Sequence, residues 1–163
     1  MLTDKEIKQL KSTLNDYDKK IDSLKREMNY SESNGRICEG NINRLKEQGR
    51  ECKRKIDGVK NSIHNIERDI NSYENEIRRL DPFDRHDASK ITILRSNIQK
   101  LEKEILYQNS NISMEHSNIR TIESQIDFEE RKLKDIVKFL DDSQKIYKKL
   151  EKERFDFRQK YRI

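Results

Sequence analysis

Leu80-Asp81-Pro82-Phe83-Asp84-Arg85-His86-Asp87-Ala88-Ser89 is the one interruption in a heptad pattern that otherwise keeps a single phase from Ile7 to Tyr161. It contains the only proline of the chain. Arg78 and Arg79, just before it, are cations suited to a last helical turn, where the helix dipole favours positive charge. Asp81 suits an N-cap, Pro82 the first position of a new helix and Asp84 its third. Asp81 is also pushed out of the α region by the proline that follows it. The residues that would continue the apolar seam here are Asp84 and Asp87, two acidic layers in succession. One helix therefore ends and another begins. The expected order is a first helix over about 3–80, a turn over about 81–89 and a second helix over about 90–162.

Outward from the break, apolar residues recur at the a and d positions of the heptad. The first arm places Ile7, Leu14, Ile21 and Met28 at a, then alternates Gly35, Ile42, Gly49 and Ile56, with Cys38, Leu45 and Cys52 among its d residues. The second arm carries isoleucine at every a position from Ile91 to Ile126, while its d row includes Gln108, Glu115, Glu129 and Ser143. Of 43 seam positions 35 are apolar. A composition that is 31% hydrophobic would place only about 13 there by chance. A repeat of 3.5 residues sustained this long imposes a left-handed supercoil.

Composition agrees with a thin seam rather than a globular core. Charged residues make up 41% of the 163, there is no Trp, and only 16 apolar residues lie off the seam, too few for a second packed layer. High charge with few aromatics also describes disordered chains, but those do not hold apolar residues at a fixed period. Nothing resembles a signal peptide or a membrane span. The expectation is a soluble, intracellular protein of the cytoplasm. Usage leaning to Ile, Lys and Asn hints at an AT-rich source, and for a virus the compartment becomes the host cytoplasm.

Equal arms around a central turn, each about 110–115 Å long, predict an all-α protein: a long antiparallel αα-hairpin folded as a coiled coil. The alternative is a kinked rod of parallel chains, which the unbroken heptad phase through the turn favours slightly. Seam pairing separates the two. In a parallel homodimer Gly35, Gly49, Glu115 and Glu129 would each face their own twin, and facing carboxylates in a seam are costly. An antiparallel pairing in which partner numbers sum to 171 gives Gly35 with Ile136, Gly49 with Ile122, Glu115 with Ile56 and Glu129 with Ile42. Sliding by one heptad, to a sum of 164, sets both glycines opposite both glutamates but improves the flanking charge pairs. The two effects are each about 2 kcal/mol, so the register stays open.

Three surfaces offer themselves to partners. In the second arm Ile93, Tyr107, Met114 and Phe128 share the c position, and Phe139 and Ile146 share the adjoining g. With Leu106 and Val137 they form a second, discontinuous apolar stripe, whereas the first arm has only Leu2, Tyr30 and Ile37 as large apolar residues off its seam. Scattered surface hydrophobics are common, yet the concentration on one arm predicts packing against a second copy or another helix. Second, residues 143–163 hold eight Lys/Arg against three Asp/Glu, and residues 1–26 hold seven against five. In a hairpin this open end gathers Lys145, Lys148, Lys149, Lys152, Arg158, Lys160 and Arg162 among Phe155, Phe157 and Tyr161. Basic residues with aromatics grip nucleic acid; a solvated lysine face or an acidic protein partner are the plainer accounts. Third, Phe83, Arg85 and His86 lie at the turn, either exposed as a recognition tip or, for Phe83, capping the last seam layer.

Chemistry is not predicted. No glycine falls in a phosphate-binding loop, and His64, His86 and His116 are far apart without companion ligands. Glu115 and Glu129 are separated by about 21 Å along one helix, too far to share a substrate. Cys38 and Cys52 occupy d positions as small apolar side chains, with crosslinking to a twin as the alternative. No catalytic residue, metal, cofactor or small-molecule substrate is expected. The expected function is that of a non-enzymatic spacer or scaffold strut in a larger assembly, with protein partners and homo-oligomers. A nucleic-acid-associated coiled coil and an adaptor capturing a partner helix are the alternatives. At the level of fold alone such a hairpin resembles the arms of chromosome-maintenance ATPases, whose head motifs and hinge domain this sequence does not contain.

Overall fold

The computed structural model describes residues 2–163, and among them there is no strand. Two long helices pack against each other: α1, Asp4–Arg78, and α2, Arg85–Tyr161. α1 opens with a reciprocal cap. Glu6 Oε2 accepts from the Thr3 backbone N–H at 2.7 Å and from the Thr3 hydroxyl at 2.8 Å, while the Glu6 N–H donates to Thr3 Oγ1 at 3.3 Å. The glycines of α1 leave the helix unbroken, and none has a positive φ. α2 closes on Arg162, whose φ of 53° is left-handed, with the Ile163 N–H returning to the Arg158 carbonyl at 3.3 Å.

The link between the helices is shorter than the sequence predicts. The Asp84 N–H donates to the Asp81 carbonyl at 3.2 Å, closing a four-residue turn with Pro82 at its second position. Asp81 Oδ1 accepts from the Phe83 N–H at 2.9 Å, and Asp87 Oδ2 reaches back to the Asp81 N–H at 3.0 Å. Asp84, rather than Asp81, caps α2: its carbonyl accepts from the Ala88 N–H at 2.8 Å and its Oδ1 from the His86 N–H at 3.4 Å. Helix 2 therefore starts at Arg85 instead of near 90, and Pro82 serves the turn instead of the first helical position. The first helix ends at Arg78, with Arg79 and Leu80 N–H groups bonded to Glu76 and Ile77 in a tightened last turn.

The chain divides into two compact units. One joins the span to Arg44 with Ile126–Ile163. In it α1 and α2 side chains meet: Tyr17 meets Phe157, Asp18 meets Arg154, Lys25 lies over Tyr147, Gly35 meets Ile136 and Cys38 adjoins Glu129. Its most buried side chains are Ile21, Cys38, Ile42 and the small Ser143. The other unit is Leu45–Gln125, with Leu45, Ile56, Ile91 and Leu94 most buried. There Gly49 faces Ile122 and Cys52 adjoins Glu115. No large side chain among the described residues is completely buried. The core is a single layer of seam residues, so most of the surface of each helix faces solvent.

Candidate functional site

Two seam glycines of α1 have neighbours on α2. A Cβ built on Gly35 would lie 3.5 Å from Ile136 Cγ2 and 3.8 Å from Leu133 Cδ1, and one on Gly49 would lie 3.8 Å from Ile122 Cγ2. Both are partners that sum to 171, and neither glycine faces a glutamate. The glutamates instead approach cysteines, a pairing that assigning each seam residue one opposite partner does not foresee. A sequence signal for it exists: Gly35-Arg36-Ile37-Cys38 recurs as Gly49-Arg50-Glu51-Cys52, fourteen residues on, while Glu115 and Ile122 recur as Glu129 and Ile136.

These pairs are quiet chemically. Burial first, and then the Glu129 carboxylate, push the Cys38 thiol up; burial and then Glu115 do the same for Cys52. Near neutral pH both thiols therefore stay protonated and poorly nucleophilic. Glu129 itself sits in a covered position, its side chain 13% exposed, with Lys132 Nζ at 3.4 Å from Oε1. Burial, the largest single influence, pushes its carboxyl up, but Cys38, Asn41 and Lys132 together hold it below the usual range. Its buried Oε2 has no hydrogen-bond partner. In the same unit Arg154 Nε lies 2.9 Å from Asp18 Oδ1, an ion contact whose N–H is not aimed for a hydrogen bond.

The second apolar stripe stands open on α2. Among residues of the Leu45–Gln125 unit, Ile93 and Tyr107 are each 62% exposed and Met114 57%. In the other unit Phe128, Phe139 and Ile146 are exposed, Phe139 least so. Lys132 Nζ hangs 5.0 Å over the Phe128 ring, a cation–π contact that shields one face of it. Leu106 and Val137 are exposed as well, against Leu2, Tyr30 and Ile37 on α1. At the turn Phe83 is 95% exposed, and Arg85 and His86 are exposed beside it. Phe83 thus caps no seam layer.

Of the predicted basic residues, Lys145, Lys148, Lys149, Lys152, Arg158, Lys160 and Arg162 are all exposed. Lys149 reaches Glu153 at 4.0 Å, and Lys160 lies 5.2 Å from the Tyr161 ring centroid. Phe157 and Tyr161 belong to the seam: Phe157 packs on Tyr17 at 6.0 Å and on Tyr161 at 4.9 Å between centroids. Phe155 does not, and is 61% exposed.

His64 Nδ1 lies 3.3 Å from Glu67 Oε2 on an open helix surface. Among the described residues no three His, Cys, Asp or Glu side chains gather as a metal site would need, and no helix is long and apolar enough to cross a membrane. No family model, curated protein or solved structure matches this chain.

Proposed function

We propose that this chain is a non-enzymatic structural protein, an antiparallel coiled-coil hairpin that serves as a spacer or scaffold strut within a larger protein assembly. The pairing sum of 171, recurring at Gly35 and Gly49 in separate units, supports the hairpin. The observation that carries the function is the asymmetry of the helices. α1 spends nearly all its apolar residues on the seam, while α2 holds Ile93, Tyr107 and Met114 in one row, each more than half exposed. Rows of large apolar side chains at heptad spacing are what a further helix packs on. A second copy of the chain is the occupant that needs no other component. A different protein's helix makes the chain an adaptor by the same face.

Sedimentation velocity with Tyr107→Ser, Met114→Ser and Phe128→Ser combined tests this. The wild type is expected to form an oligomer, and the variant to keep its helical circular dichroism while falling to monomer mass. An oligomer unchanged by the substitutions removes the stripe from the assembly. A wild type that is monomeric at tens of micromolar moves the reading to the adaptor.

A further inference from the structure

The outward side of the last turns of α2 is basic and carries one aromatic ring. Lys145, Lys148, Lys152, Phe155, Gln159 and Arg162 alternate between the f and b positions, opposite the seam, and no carboxylate takes either position in this stretch. Before it the same two positions hold Arg131, Lys134 and Lys138, and then Asp141. The acidic residues beside this face are partly engaged elsewhere. Glu151 Oε1 accepts from the Tyr147 hydroxyl at 2.6 Å, and Glu153 takes Lys149. Lys145, Lys148, Lys152 and Arg158 have no carboxylate oxygen within the 4.0 Å of an ion pair among the described residues. A basic face of this kind keeps its charges available.

Phe155 makes the face more than a solubilising one. It lies at b, away from the seam, and is 61% exposed in a shallow groove with Lys148, Glu151, Lys152, Arg154 and Arg158. Among the described residues no aromatic ring stacks on it and no cation sits over it, although lysines cap Tyr147, Phe128 and Tyr161. A free aromatic face flanked by free cations matches two features of one ligand class: phosphates spaced along a chain and unstacked bases. We propose that this face binds single-stranded nucleic acid, with its phosphates on Lys145, Lys148, Lys152, Arg158 and Arg162 and one base on Phe155. A duplex offers the phosphates but keeps its bases stacked, so Phe155 would contribute nothing to it. An anionic membrane offers charge too, but a lone phenylalanine is a weak anchor where interfacial helices bury a whole apolar face.

Fluorescence anisotropy of the full chain tests this with a labelled oligo(dT) of about 20 nucleotides, a duplex of the same length and phosphatidylserine vesicles. Five phosphate contacts predict a slope of roughly −3.5 in log K against log salt for a single strand. Between about 50 and 200 mM salt the affinity should therefore drop about 100-fold. Lys148→Gln with Lys152→Gln should lessen the slope by about 1.4. Phe155→Ala should weaken the strand about 5- to 150-fold and leave duplex binding unchanged, with Phe155→Leu failing to restore it. All these positions are exposed, and unchanged circular dichroism confirms folding. The proposal is overturned if no strand binds at about 50 mM salt, if Phe155→Ala binds the strand as well as wild type, or if the duplex or the vesicle binds more tightly.

Discussion

Replacing Gly35 by alanine should stabilise this protein more than the same change at Gly40. Both residues lie within α1 with ordinary helical φ, so each substitution gains the helix-propensity difference, about 1 kcal/mol. The seam adds a second contribution at Gly35 only. Its new methyl would meet Ile136 at 3.5 Å and Leu133 at 3.8 Å, ordinary van der Waals distances, whereas nothing lies within 4 Å of a Cβ at Gly40 or Gly58. One buried methyl contributes about 0.8 kcal/mol, giving about 1.8 kcal/mol for Gly35→Ala. Gly49, half-buried with a single neighbour at 3.8 Å, falls between. For a chain of this size about 1 kcal/mol moves Tm by roughly 2–4 °C. Thermal melts followed at 222 nm should therefore rank the gains as Gly35→Ala, then Gly49→Ala, then Gly40→Ala and Gly58→Ala. Gly35→Leu, by contrast, sets a branched side chain against Ile136 and Leu133, already in contact with a Cβ there, and should lose about 1–3 kcal/mol. Equal gains at all four glycines, or a loss at Gly35→Ala, would refute the seam packing.

Removing the α2 cap by Asp84→Ala should cost about 1 kcal/mol, while Asp81→Ala should act through the turn alone; urea melts of the two variants distinguish cap from turn. Stability should decline below pH 4.5, the ordinary value for Glu6, Glu47 and Glu129. Their folded carboxyls are held lower, by Thr3, by Arg50 and by the Cys38, Asn41 and Lys132 set respectively, so the unfolded chain takes up protons first. Tm measured against pH should show that acid limb, and Glu6→Gln, Glu47→Gln and Glu129→Gln combined should flatten it. The thiols act with the opposite sign: raised when folded, Cys38 and Cys52 favour the fold up to pH 9.0 and lose that contribution as pH climbs beyond it. Thiol labelling at pH 7.5 should accordingly be much slower in the native protein than in urea, and fast native labelling of Cys38 would contradict its burial.

The apolar periodicity was legible because it is a property of sequence alone, and the helix break near Pro82 because one proline and two seam aspartates cannot continue the first helix. The start of α2 was not: Asp81 before Pro82 fits an N-cap pattern, yet the capping contacts belong to Asp84. A contact six residues long, from Asp87 back to the Asp81 N–H, assigns Asp81 to the turn. Register was underdetermined for a different reason: flanking charge and glycine packing oppose each other with similar size. The Gly35–Ile136 and Gly49–Ile122 contacts follow packing. The Cys38–Glu129 and Cys52–Glu115 neighbours escape a one-to-one pairing because each seam residue of a packed helix pair sits among several residues of the other helix. For the candidate surfaces, heptad position marked Ile93, Tyr107, Met114, Phe128, Phe139 and Ile146 as off the seam, and a count of charge marked the basic end; all of these residues are exposed.

The most direct test of the hairpin is a pair of engineered disulfides in a Cys38→Ser, Cys52→Ser background. Gly35→Cys with Ile136→Cys, or Gly49→Cys with Ile122→Cys, places thiols where a Cβ comes within 3.5 or 3.8 Å of its partner residue. Gly35→Cys with Glu129→Cys serves the alternative register, where the partner sits about 10 Å further along the helix and out of disulfide reach. Under mild oxidation the first two variants should close within one chain, running as compact monomers on a non-reducing gel, while the third stays reduced. Closure of the third in place of the first two, or disulfide-linked dimers from all three, would contradict an antiparallel hairpin paired at a sum of 171.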